Sequence, residues 1–148
     1  MLRVLVVDDD EIIRDTLYEL LSEEYFCQTA ETAEKALARL EADTYDVVLT
    51  DISMPGLSGL ELLGHVRQKY PETPVIIMSG IGDQDHAQGL IRLGAFDYLL
   101  KPFKLEVVEK SVKRAGEYRR RLLGGAQDSE AKEHSAKVNE SDEWKIVK

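Results

Sequence analysis

Four short apolar runs, far apart in the chain, each stop abruptly at a polar residue. Val4-Leu5-Val6-Val7 stops at Asp8-Asp9, Val47-Val48-Leu49-Thr50 at Asp51, Val75-Ile76-Ile77-Met78 at Ser79, and Tyr98-Leu99-Leu100 at Lys101-Pro102. A short run rich in β-branched residues reads as a strand buried on both faces, and its abrupt end delivers a side chain to the carboxyl end of that strand. A fifth run near 26–30 completes the set. The strands are expected near 3–7, 26–30, 46–50, 74–79 and 96–100.

Helical patterns fall between and after them, near 10–22, 32–42, 58–69, 84–93 and 104–122. Ile13, Leu17, Leu20 and Leu21 form an apolar stripe at helical spacing in the first, Ala33, Leu37 and Leu40 in the second, and Leu105, Val108, Val112 and Ala115 in the last. Ser58 followed by Glu61 is a capping-box pattern that starts the third helix, and Gly94 is placed to close the fourth. Strict strand–helix alternation implies βαβ units with right-handed crossovers and a parallel sheet covered on both faces. Ligands of such sheets bind at the carboxyl edge. Three carboxylates, a hydroxyl and an ammonium should therefore converge there.

Composition bounds the remaining choices. The chain has 148 residues, of which 43% are hydrophobic and 32% charged, which suits one domain with a real core. Its apolar runs are far too short to cross a membrane, and the first strand starts so early that no signal peptide is expected. Cys27 is the single cysteine, so no disulfide can form within the chain, and a reducing cytoplasm is the expected compartment. A net charge of −9 argues against direct nucleic-acid binding. The stretch from Lys104 to Arg121 departs from that balance, with seven bases against three acids, and reads as a solvated helix face or a partner contact. Beyond Gly124-Gly125 the chain turns polar until Trp144, so residues 123–148 read as a tail or linker after a domain at 1–122.

If Asp8, Asp9 and Asp51 meet, each pair about 4 Å apart repels by roughly 4 kcal/mol at an effective dielectric near 20. Such a cluster calls for a cation, and hard carboxylate oxygens suit Mg²⁺. Lys101 can neutralise further charge, Ser79 can donate to an oxygen, and Asp51 becomes a nucleophile toward phosphorus. Taken singly, each Asp could simply cap a following helix. Four coincident strand ends with complementary chemistry favour a site.

The motifs Val6-Val7-Asp8-Asp9-Asp10, Asp51 to Gly59, Met78-Ser79-Gly80 and Tyr98 to Phe103 resemble those of the response-regulator receiver domain of two-component signalling, over residues 1 to about 122. The resemblance implies a flavodoxin-like (βα)5 three-layer α/β sandwich with a parallel five-stranded sheet of order 2-1-3-4-5. It implies Asp51 as phosphoacceptor, with Asp9, Asp51 and the carbonyl of Ser53 on Mg²⁺ and Asp8 acting through water. Lys101 would pair with the acceptor or its phosphoryl group. Ser79 and Tyr98 would be the switch residues that turn the α4-β5-α5 face, and a cis bond is expected between Lys101 and Pro102. The implied partner is a sensor histidine kinase or a histidine phosphotransfer protein, met around Ile12, Arg14, Asp15 and Tyr18. A change in self-association or in partner binding on phosphorylation is the expected output.

Ser53 and Ile81 flank the expected site, and apolar Ile81 is expected to shield the phosphoryl group from water. His65, His86 and His134 lack metal-ligand spacing and read as surface residues. Trp144 reads as either an anchor for the tail or an exposed remnant. A Mg²⁺-dependent phosphohydrolase with an Asp nucleophile is the competing class; it lacks support because Ser53 stands where a leaving-group acid is usual and no cap insertion is visible. A nucleotide-binding module lacks its Gly-rich phosphate loop.

Overall fold

The computed structural model describes residues 1–80 and 87–124. Strands and helices alternate as β1 (Arg3–Val7), α1 (Glu11–Leu21), β2 (Phe26–Ala30), α2 (Ala33–Ala42), β3 (Val47–Asp51), α3 (Gly59–Lys69), β4 (Val75–Ser79), α4 (Ala87–Arg92), β5 (Asp97–Leu100) and α5 (Leu105–Gly124). The strands form one parallel sheet in the order β2-β1-β3-β4-β5. This is the flavodoxin-like arrangement that the receiver-domain resemblance implies, with helices on both faces.

The period of two along a strand divides the core in halves. Leu5 and Val7 of β1 point into a cluster with Ala33, Ala36, Leu62, Leu63 and Leu90, from α2, α3 and α4. Val4 and Val6 point the other way, against Leu17 and Leu21 of α1 and Val108, Val112 and Ala115 of α5. Both faces of the central strands are thus apolar and fully buried. That explains the unbroken hydrophobic runs, each large aliphatic side chain contributing roughly 1.5–3 kcal/mol of burial.

Local signals place the helix ends. The Asp10 carboxylate accepts from the N–H groups of Ile12 and Ile13 and caps α1, as a short acidic side chain does at this position. Ser58 and Glu61 form the expected capping box on α3. Gly94 adopts φ 105° just after α4, where its N–H donates to Ile91 O. In α5, Leu105 departs from the expected core stripe. It is 43% exposed, because the first turn of the helix borders an open cavity rather than the sheet. The helix also continues through Gly124, two residues past the expected 122.

Two polar clasps bind α5 to the sheet. Asp97, buried at the start of β5, accepts from Ser111 Oγ at 2.6 Å and Arg114 Nη2 at 2.9 Å. Asp46, just before β3, accepts from Arg119 Nη1 at 2.7 Å and from the N–H of Arg3 at 2.7 Å. Two of the seven bases of the basic run are thereby tied to sheet-edge carboxylates, while Lys104, Lys110, Lys113 and Arg120 stay exposed.

No described helix is long and apolar enough to cross a membrane. The expectations about Ile81, His86, His134, Trp144 and the tail after Gly124 concern residues outside those described.

Candidate functional site

Parallel register carries the polar strand ends to one level. Val7 pairs with Thr50 and Asp51 with Met78, so Asp8, Asp51 and Ser79 follow one another along the carboxyl edge of β1, β3 and β4. Carboxylate oxygens of Asp8, Asp9 and Asp51 lie within 4.8 Å of one another. Asp8 is fully buried and Asp51 nearly so, whereas Asp9 faces solvent.

Lys101 enters from the end of β5. Its Nζ lies 3.0 Å from Asp8 Oδ2 and 3.3 Å from Asp51 Oδ1. Its own N–H donates to Ser79 O at 2.7 Å, and the Lys101–Pro102 bond is cis. Burial pulls the Lys101 ammonium toward neutrality, but the hydrogen bond and charge of Asp8, with Asp51 behind it, outweigh this and leave its pKa above the usual lysine range. Burial raises the Asp51 carboxyl above its ordinary value. Lys101 opposes that shift and the charge of Asp8 adds to it.

Asp8 is spoken for on every side. Its N–H donates to Ala30 O at 3.2 Å, its Oδ1 accepts from the N–H of Asp10 at 2.9 Å, and its carbonyl accepts from Arg14 Nη1 at 2.9 Å. Asp9 makes no such commitments among the described residues. The set therefore offers one open carboxylate, one half-engaged by Lys101 and one saturated. That distribution fits a hard divalent cation that keeps several waters, and a second positive charge would relieve the repulsion felt at Asp51.

Ser79 is completely buried, and its hydroxyl has no hydrogen-bond partner among the described residues; the phenol oxygen of Tyr98 is likewise buried without one. Tyr98 packs against the α2-α3-α4 half of the core. Ser53 lies two residues past Asp51 in the exposed loop leaving β3, beside a cavity of 270 Å³ that it shares with Ile52, Ser58 and residues of α4. His65 is exposed, as expected.

Two contributors escaped the sequence reading. An ideal Cβ on Gly59 would stand 2.0 Å from Asp51 O and 2.8 Å from Ile52 Cα, so the first turn of α3 rests directly on the backbone of the central strand end. A glycine immediately after the capping Ser58 was the available signal. Arg14 was assigned to the partner face of α1, yet its guanidinium folds onto the carbonyl of Asp8 and is half buried. Nothing in the helical pattern marks that contact.

On that same face Ile12 is 77% exposed and Tyr18 46%. Ile12, Ile13, Thr16, Pro102, Phe103 and Leu105 surround most of a largely apolar cavity of 430 Å³ that reaches Lys101.

The sequence pattern of the response-regulator receiver domain matches residues 4–113. DNA-binding transcriptional regulator NtrC from Salmonella typhimurium is 45% identical over 113 residues, covering 76% of this chain and 24% of that protein. The C4-dicarboxylate transport transcriptional regulatory protein DctD from Rhizobium meliloti is 36% identical over 121 residues, covering 81% of this chain and 26% of its own length. The chain thus spans about a quarter of the length of these curated relatives. Among solved structures, the receiver domain of NtrX from Brucella abortus superposes with a TM-score of 0.74 at 39% identity, covering 77% of this chain and 98% of that one. A receiver domain protein from Clostridium thermocellum superposes with a TM-score of 0.77 at 32% identity, covering 83% and 99%. With its sheet order, its acidic strand ends and these relatives in agreement, the chain belongs to the receiver-domain family of response regulators.

Proposed function

We propose that this domain accepts a phosphoryl group on Asp51 from a sensor histidine kinase, or from a histidine phosphotransfer protein, in a Mg²⁺-dependent reaction. The observation that carries the reading is the convergence of three carboxylates within 4.8 Å, with Lys101 Nζ 3.3 Å from Asp51. In the step, an Asp51 carboxylate oxygen attacks phosphorus. The bond from phosphorus to the donor nitrogen breaks, and the electron pair leaves with the imidazole, which takes up a proton from solvent. The carboxylates of Asp9 and Asp51 and the carbonyl of Ser53 would hold Mg²⁺, with Asp8 acting through water. When bound, Mg²⁺ supplies positive charge for the equatorial oxygens of a loose transition state.

Lys101 is placed to transfer its charge-assisted hydrogen bond from the carboxylate to the new phosphoryl group. The buried Ser79 hydroxyl, which has no partner among the described residues, is the donor that such a group would recruit. Phosphorylation adds roughly −1.5 to −2 charges at once. Movement of Ser79 and Tyr98 would carry that event to α4, β5 and α5, whose altered face signals to a partner or to a second copy. The apolar cavity between α1 and the loop before α5 adjoins Lys101 and is a fitting seat for the phosphodonor protein.

Incubation with acetyl phosphate and Mg²⁺, followed by intact mass, tests the reading. Wild type is expected to gain one phosphoryl group, and Asp51→Asn none. Equal labelling of the two proteins would refute Asp51 as the acceptor, and rapid multiple turnover of phosphate esters would refute the signalling role.

A further inference from the structure

We propose that Arg14 is a positioning residue for the acidic cluster: its guanidinium, seated on the carbonyl of Asp8, fixes the peptide plane from which Asp9 hangs and so sets the affinity for a divalent cation. The inference rests on the reading of the cluster as a Mg²⁺ site.

The argument starts from the turn between β1 and α1. This turn carries Asp8 and Asp9, and within three residues it must pass from a strand to a helix capped by Asp10. The peptide group is rigid and planar, so the carbonyl of Asp8 and the Cα of Asp9 belong to one unit. Whatever holds that carbonyl holds the direction in which the Asp9 carboxylate leaves the backbone. The N–H of Asp8 is tied to β2 and its carboxylate to Asp10 and Lys101. Its carbonyl accepts from Arg14, one turn into α1, at 2.9 Å.

Asp8 is fully buried. A carbonyl at that place without its donor would turn toward water, since a buried acceptor left without a partner is costly. Turning it rotates the plane and swings Asp9. A guanidinium suits the task because its donors are fixed in one plane and it keeps its charge at any working pH. Glu31 and Lys35 line the cavity beside Arg14. They are hydrogen-bonded to each other; the charge of Arg14 also acts on Glu31, but its hydrogen bond goes to the carbonyl of Asp8.

A competing electrostatic effect has the opposite sign, which makes the idea decidable. Arg14 is a cation near a cation site, and through charge alone it repels Mg²⁺; removing it would then tighten binding. Positioning predicts that removal weakens binding, by about tenfold as for other residues that orient metal ligands. A residue serving only to contact a phosphodonor protein would leave Mg²⁺ affinity unchanged.

The test is an NMR-monitored Mg²⁺ titration of the unphosphorylated protein, following the amides of residues 8–10, for wild type, Arg14→Met and Arg14→Lys. Met keeps the aliphatic stem without the donor, whereas Lys restores a single donor. Unchanged urea midpoints certify the fold of each variant. A dissociation constant raised about tenfold in Arg14→Met and largely restored in Arg14→Lys is expected, together with slower labelling by acetyl phosphate, a donor that needs no docking surface. Equal or tighter binding in Arg14→Met would overturn the inference. Failure of wild type itself to bind Mg²⁺ would overturn the metal-site reading and this inference with it.

Discussion

The Asp51 carboxyl lies at the end of a buried strand between Asp8 and Lys101, and burial outweighs the help of the lysine in raising its pKa. A carboxyl whose folded pKa is raised costs stability as pH climbs. Below the ordinary carboxylate range it is protonated in both folded and unfolded chains, so it imposes no penalty there. Above that range the folded protein must hold a charge that the unfolded chain holds more easily. Replacing Asp51 with Asn should therefore stabilise the metal-free protein. Lys101 keeps Asp8 at 3.0 Å as a partner, so little is lost on that side. We expect a Tm about 2–4 °C above wild type at pH 7.5, with the gain shrinking as pH falls through the carboxylate range. Thermal melts at several pH values measure this, and a lower Tm at pH 7.5 would contradict it. At this scale the sequence was a good guide wherever a residue acts from a strand end. Asp8, Asp9, Asp51, Ser79 and Lys101 could be found because the apolar runs stop at or beside them. Arg14 could not, because its contact depends on how a helix settles against a turn, and helical periodicity does not encode that.

Among the elements, α3 is the one whose seat is least adjustable. Gly59 touches the carbonyl of Asp51 with no room for a methyl group, and its own N–H donates to Ile52 O at 2.9 Å. Gly59→Ala must lift the helix or bend the end of β3. We expect about 2–3 kcal/mol of destabilisation by urea denaturation, accompanied by weaker Mg²⁺ binding because the displaced backbone carries Asp51. A variant with wild-type stability and affinity would show that the loop absorbs the methyl group. Strands and helix starts were legible here because β-branched runs and capping pairs are local signals. Leu105 was misjudged for the same reason. It fits the stripe of α5, but the stripe cannot reveal that the first turn borders a cavity. Asp97 was passed over because its partners Ser111 and Arg114 lie 14 and 17 residues away, and only the packed fold brings them together.

Taken whole, the molecule has two dissimilar ends. At the amino edge of the sheet, carboxylates are matched by donors, as Asp46 is by Arg119 and the N–H of Arg3. At the carboxyl edge, like charges crowd together and a buried hydroxyl has no partner among the described residues. Charge is paired off at one end and crowded at the other. The alternation of strands and helices made this polarity readable in outline, since every strand runs the same way. The clasps that secure the quiet end were not readable, for they join residues as distant as Asp46 and Arg119. Elsewhere in the sheet, Cys27 is the sole cysteine of the 148 residues. It is 7% exposed, and burial pushes its thiol up to about 12. At pH 7.5 roughly one thiol in thirty thousand would be ionised, so a maleimide should leave the native protein unlabelled and react once urea unfolds it. A cysteine introduced on exposed α5, as in Lys110→Cys, would then be the one addressable position. The domain comes ready to carry a single reporter dye on the face expected to move, with no native residue to remove first.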